Sequence, residues 1–159
     1  MTKKPSRHIV DILAVLILLI LFTACALSVV LLGAGVYQKT VANMTGNFTV
    51  RTSLAYITEM VHQSDSEGNI SVSEKDGLSV LALQKTYGGE AYTTYIYAEG
   101  NELKELTQKT DAEFKASAGR TIMEIGSFSA EKDGRLLHLS VTDENGGTEE
   151  TSVAVRSES

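Results

Sequence analysis

The sequence predicts an α+β protein in which one long N-terminal helix, its first half membrane-spanning and its second half amphipathic, packs on an antiparallel β-sheet. Three observations lead there. Ile12 to Leu32 is an unbroken apolar run headed by a single acid, Asp11. Apolar residues then recur at helical spacing as far as Val61. From residue 69 onward the period changes to two, with glycine-containing turns between the alternating segments.

The apolar run of about 21 residues, at 1.5 Å per helical residue, is long enough to cross a bilayer core of roughly 30 Å. Lys3, Lys4 and Arg7 precede it, and only Lys39 follows closely. That imbalance keeps the short N-terminus cytoplasmic and places the rest outside. Two cleaved-signal readings are weaker. Phe22-Thr23-Ala24-Cys25 has the outline of a lipidation site, and Ala24-Cys25-Ala26 that of a small-x-small cleavage site. After Cys25 the chain stays apolar through Ala26-Leu27-Ser28-Val29-Val30-Leu31-Leu32, so a cut at either would leave a mature chain beginning with an apolar segment. The expected organisation is a cytoplasmic N-terminus (1–8), a transmembrane helix (9–36), an amphipathic continuation (37–64) and an extracytoplasmic antiparallel β domain (65–159).

Cys25 is the only cysteine, so the external part must hold together by packing and hydrogen bonds alone. From residue 37 onward, 11 Lys and Arg face 19 Asp and Glu, a balance of −8 within an overall −6. Such a domain lacks the basic footprint that direct nucleic-acid binding requires. Its size suits one small core.

Gly33-Ala34-Gly35 loosens the helix beyond the span but need not end it, and the chain has no proline after Pro5. Val41, Met44 and Phe48 keep helical spacing. Val50, Leu54, Ile57 and Val61 step by 4, 3 and 4, a single stripe along one face. The polar cluster Gln63 to Asn69 ends the helix. A helix over about 9–63 follows, with Gly33 and Gly46 as the places where it could break.

Strands follow at Ile70–Ser73, Leu78–Tyr87, Glu90–Ala98, Glu102–Thr107, Thr121–Ala130, Leu136–Thr142 and Thr148–Arg156. Asp76-Gly77, Gly88-Gly89, Gly100-Asn101, Asp133-Gly134 and Asn145-Gly146-Gly147 separate them. Residues 108–119 are polar and read as a loop or short helix. Leu137, Leu139 and Val141 alternate with His138 and Ser140, as in a half-buried sheet with one apolar face. The second half of the helix is the partner for that face.

Catalytic chemistry finds no foothold. His8, His62 and His138 have no metal-ligand spacing to Cys, His or carboxylates, and there is no nucleophile signature or phosphate-binding loop. The acids Glu99, Glu102 and Glu105, and likewise Asp143, Glu144, Glu149 and Glu150, read as solvated faces. The chain is not expected to be an enzyme or to need a cofactor or metal. Tyr92, Tyr95 and Tyr97 crowd one hairpin, where they form either a contact surface or cross-strand packing.

The helix segment Arg51-Thr52-Ser53-Leu54-Ala55-Tyr56-Ile57 and the later Ile125-Gly126-Ser127-Phe128-Ser129, Asp133-Gly134-Arg135-Leu136 and Leu139-Ser140-Val141 resemble minor pseudopilins of the type IV pilin family. The nearest likenesses are to the F subunit of competence pseudopili and the J subunit of type II secretion. The order of anchor, helix and sheet also resembles an uncharacterised family of small bacterial membrane proteins. The pilin resemblance implies a structural subunit of the bacterial cell membrane that assembles with other pilin-like subunits through its N-terminal helix. It assigns Asp11 to the position of the helix-head acid, which pairs with the N-terminal amine of a neighbour during assembly. It also places the processing site between Ser6 and Arg7. There the sequence departs from the family, which has glycine before the cut and an apolar residue after it. The alternative is a stand-alone anchored protein whose external β domain binds a ligand, envelope component or partner protein.

Overall fold

A computed structural model describes residues 6–66 and 69–156. The chain forms two compact units, Met1–Val41 and Ala42–Ser159, taken here one at a time. Helix α1 (Ser6–Ser64) is helical throughout, including Gly33, Gly35 and Gly46, so neither expected weak point interrupts it. Within the first unit it is exposed on all sides from Ile9 to Val41. A helix apolar all round suits lipid rather than water. Its most apolar 18-residue window has a mean hydropathy of 3.1, and α1 is long and apolar enough to cross a membrane.

Among the described residues, the second unit contains eight strands: β1 (Ile70–Lys75), β2 (Leu78–Tyr87), β3 (Glu90–Glu99), β4 (Glu102–Lys109), β5 (Arg120–Glu124), β6 (Ser127–Asp133), β7 (Leu136–Thr142) and β8 (Thr148–Ala154). They form two antiparallel sheets, β1-β2-β3-β4-β5 and β6-β7-β8. Hairpin registers follow the turn chemistry. Tyr87 pairs with Glu90 across Gly88-Gly89, whose φ values of 60° and 89° favour glycine. The β6–β7 turn sits one residue later than the sequence suggested, at Gly134-Arg135, because Asp133 pairs with Leu136.

The expected strand Thr121–Ala130 is two strands in two different sheets. The break falls at Ile125-Gly126, where the Ile125 N–H reaches the Asn101 carbonyl and the Gly126 N–H reaches that of Thr142, at 2.8 and 2.7 Å. Here the backbone leaves one sheet and enters the other. A Cβ at Gly126 would lie 2.5 Å from the Asp143 carbonyl oxygen, so only glycine fits the crossing without backbone movement. Alternation alone carries no signal for this switch, since both halves keep a period of two.

Val50, Leu54, Ile57 and Val61 are buried in one cluster with Leu81, Leu83 and Ile96 of the larger sheet and Phe128, Leu139 and Val141 of the smaller. β6 lies against β1 to β4. The helical stripe read from the sequence is thus the shared filling of the unit, and burying each such side chain contributes roughly 1.5–3 kcal/mol. Polar contacts seat the helix. Ser53 is fully buried, with its hydroxyl 3.1 Å from the Met123 sulfur. Tyr56 donates to Glu105 at 2.7 Å, and Arg120 donates to the same carboxylate at 3.3 Å. Burial, followed by the hydrogen bond to Glu105, pushes the Tyr56 phenol up to about 12. Val41, Met44 and Phe48 remain exposed, and within the second unit Met44 and Phe48 are 68% and 71% exposed.

Two outcomes follow from this packing. Gly126→Ala should destabilise the second unit by about 1–3 kcal/mol in urea unfolding, because the crossing backbone must shift. For Tyr56, the folded chain holds the proton more tightly than the unfolded one. Its contribution is therefore complete below about pH 10 and is lost as pH rises toward 12. Tyr56→Phe should lose less stability over that alkaline window than the parent chain, measured by urea unfolding at pH 8 and pH 11.

Candidate assembly surface

Asp11 lies in the second helical turn of α1 and is exposed. It is the only charged side chain from Ile9 to Gln38. Other polar groups in the apolar stretch are satisfied within the helix. Thr23 donates to the carbonyls of Leu19 and Ile20, Ser28 to Ala24 and Thr40 to Val36, all at 2.8–3.0 Å. Such back-bonding suits a segment without water. Asp11 has no hydrogen-bond or ion-pair partner among the described residues. Lys3 and Lys4 lie outside the described residues. Ser6 and Arg7 are helical in backbone, but their side chains are outside the description.

The structure separates the tyrosines that the sequence grouped. Tyr95 and Tyr97 are 6% and 0% exposed, which corrects their assignment to a contact surface. They belong to a second small core with Val80 and Ala82 on the outer face of the larger sheet. Residues 111–119 cross that face as a strap with one 3₁₀ turn, Ala116–Ala118. Phe114 meets both tyrosine rings edge-on at 5.1 and 5.2 Å. The Tyr97 hydroxyl donates to the Ala116 carbonyl at 2.6 Å, and Gln108 donates to that of Ala112 at 3.0 Å. Burial first, then the nearby Glu99 charge, raises the Tyr97 phenol above its ordinary value. Tyr92 shares the opposite strand face with exposed Tyr87, 6.1 Å between ring centres, and donates to Glu90. Of the three residues, Tyr92 alone keeps surface for a partner. The signal for the strap was Phe114, an isolated aromatic in a polar segment.

Asp143 also departs from its expected place on a solvated face. It is 7% exposed, and its Oδ1 accepts from the Asn145 and Gly147 N–H groups, both at 2.8 Å. The carboxylate therefore shapes the β7–β8 turn, and its other oxygen fills the space where Gly46 of α1 lacks a side chain. The Glu99, Glu102 and Glu105 group is exposed to partly buried, but tied down. Lys104 bridges Glu99 and Glu102 at 2.6 and 3.4 Å, which raises its own pKa, chiefly through the Glu99 bond. His138 sits on the outer face of the smaller sheet, 2.8 Å from the Ser152 hydroxyl. Among the described residues, no three His, Cys, Asp or Glu side chains converge as a metal site.

A family model matches residues 48–144, from the core-facing part of α1 to the start of the β7–β8 turn. The chain belongs to that family, described as Domain of unknown function (DUF4860). The DUF4860 match contains the helical stripe, the Gly126 crossing and the strap, and stops short of the apolar stretch on one side and β8 on the other. No curated protein and no solved structure matches the chain.

Removing the Phe114 ring should loosen the strap without unfolding the main core. Phe114→Ala is expected to speed proteolytic nicking within residues 110–119 several-fold, with the cooperative unfolding midpoint moved far less. An unchanged nicking rate would show that the strap is held by other contacts.

Proposed function

We propose that the chain is a membrane-anchored, pilin-like structural subunit that associates with other subunits through its N-terminal helix. It would act as a minor component of a type IV pilus, competence or type II secretion-like machine in a bacterial cell membrane. Its external unit would serve by packing and contact rather than by catalysis or direct nucleic-acid binding. The supporting observation is the helix itself. A stretch exposed and apolar on all sides carries one acid at its head, without a partner among the described residues, and the same helix later supplies the core stripe of the β unit. An ionised acid moved away from water is costly unless paired, by roughly 2.5–3.5 kcal/mol at the centre of a membrane helix. A cationic amine from a neighbouring subunit would remove that cost and make association selective. Exposed Met44 and Phe48 add apolar surface on the side turned away from the sheets.

A second reading rests on Ser6 and Arg7, which depart from the pilin processing pattern. An uncut chain would keep its basic N-terminus as a permanent anchor. Asp11 would then be paired by Arg7, one helical turn away in sequence, or by lipid headgroups, and the external unit would bind a ligand, envelope component or partner protein alone.

Detergent extraction and co-purification from the native membrane separate the two. For the subunit role, Asp11→Ala should remain membrane-inserted but lose at least about tenfold of its co-purifying subunits. N-terminal sequencing should then begin at Arg7. Undiminished co-purification by the variant, together with a chain retaining Met1 or Thr2, would leave the permanent anchor as the function.

A further inference from the structure

The β7–β8 turn holds the chain's only Asn-Gly step, Asn145-Gly146. That pair is chemically reactive. Gly146 has no Cβ to hinder its backbone nitrogen, which can attack the side-chain Cγ of the asparagine before it. The amide proton is lost, the new N–Cγ bond forms, and the side-chain amide bond breaks with release of ammonia. Water then opens the cyclic imide. Opening at Cγ gives aspartate, and opening at the original main-chain carbonyl gives isoaspartate, with one extra carbon in the backbone. Water enters and ammonia leaves, so the reaction needs no oxidant or cofactor.

The structure singles out Asn145 among the asparagines. Asn43 and Asn47 lie inside α1, where the following N–H is committed to the helical ladder. Asn69 and Asn101 are followed by Ile70 and Glu102, whose side chains crowd the attacking nitrogen at the starts of β1 and β4. Asn145 is exposed, and its side chain makes no hydrogen bond among the described residues. Gly146, with a φ of 86°, sits in a turn beyond the last strand pair, Thr142 with Thr148.

The same turn restrains the reaction. The Gly146 N–H donates to the Asp143 carbonyl at 3.1 Å. On either side of it, the Asn145 and Gly147 N–H groups donate to Oδ1 of the buried Asp143, both at 2.8 Å. The Gly146 nitrogen is free to attack only when its own bond opens, and the two carboxylate bonds resist that opening. We infer that Asn145 is the chain's site of spontaneous deamidation and isomerisation, at a rate set by the Asp143-held turn. The two products act differently. Aspartate keeps the backbone spacing and adds a negative charge close to Asp143, Glu144 and Glu124. Isoaspartate lengthens the backbone between the two N–H groups that share Oδ1, so the pair no longer fits that one oxygen. The carboxylate packed against Gly46 of α1 then loses its fixed place.

The test compares the full chain in detergent micelles with a synthetic peptide of residues 141–149, both incubated at pH 8 for many half-lives of the peptide. Digestion and mass spectrometry with electron-transfer fragmentation measure aspartate and isoaspartate at each asparagine. Asn145 should account for nearly all conversion in the folded chain, at a rate at least about fivefold below the peptide's. Asp143→Ala, verified as folded by circular dichroism, should bring the chain to within about twofold of the peptide. Chain carrying isoaspartate should unfold at lower urea than fresh chain. Conversion mainly at another asparagine, none at Asn145, or a folded chain as fast as the peptide would overturn the inference. So would a folded Asp143→Ala variant that reacts no faster than the parent. The ratio of chain to peptide is read on the unaltered protein, so it decides the matter even where the variant does not fold.

Discussion

Everything in the second unit depends on a single stripe of side chains being wanted by two sheets at once. Val50, Leu54, Ile57 and Val61 belong to the same buried cluster as residues from both β1-β2-β3-β4-β5 and β6-β7-β8. A three-stranded sheet on its own has too little apolar face to be stable, and a five-stranded sheet covered on one side only leaves its other face in water. The helix and β6 together satisfy the inner face of the larger sheet, and the strap covers part of the outer one. With no disulfide possible, these contacts must supply the stability that cross-links supply in many external domains.

The sharing imposes a geometric demand that glycine meets at two points. The chain has to change sheets without a long connection, and it does so at Gly126, against the Asp143 carbonyl. The turn that begins at Asp143 has to lie under the helix, where Gly46 makes room for its carboxylate. One buried acid therefore joins helix, crossing and hairpin. Its role is positional, since both of its hydrogen bonds to N–H groups act within its own turn. Alanine at Gly46 would gain about 1 kcal/mol of helix propensity. It would also displace a carboxylate whose hydrogen bonds are worth about 1.5–3 kcal/mol each, so the glycine is the better choice there.

Much of this was legible from spacing alone. The apolar run, the 4-3-4 stripe and the hairpin glycines gave the helix-then-sheet order, and the buried apolar side chains of α1 are those the stripe named. What spacing left undecided were the features that depend on two segments meeting. The split between β5 and β6 is invisible because a strand that changes sheets keeps its alternation. Tyr95 and Tyr97 looked available because period-two logic places them on one face without saying what covers it. The cover is Phe114, from a segment whose polarity hid its one anchoring ring. Asp143 looked solvated because its neighbours Glu144, Glu149 and Glu150 are acidic, and no pattern records that Gly46 faces it. At the head of α1, Asp11 is the one charged residue between Ile9 and Gln38.

In the proposed role, one helix carries both an anchor and a core stripe. In lipid, apolar surface gives no net drive for helices to associate, so selectivity must come from close packing or from polar groups that need partners. In water, the same kind of side chain drives packing strongly. A helix that passes from one solvent to the other can therefore use Leu and Ile for insertion at one end and for folding at the other, with no change of alphabet. In the proposed subunit role it would need a separate device for recognition within the membrane, and a lone acid such as Asp11 would serve. Met44 and Phe48 precede the core stripe on the same helix. They are apolar, they lie outside the core cluster, and the sheets of their own unit do not cover them.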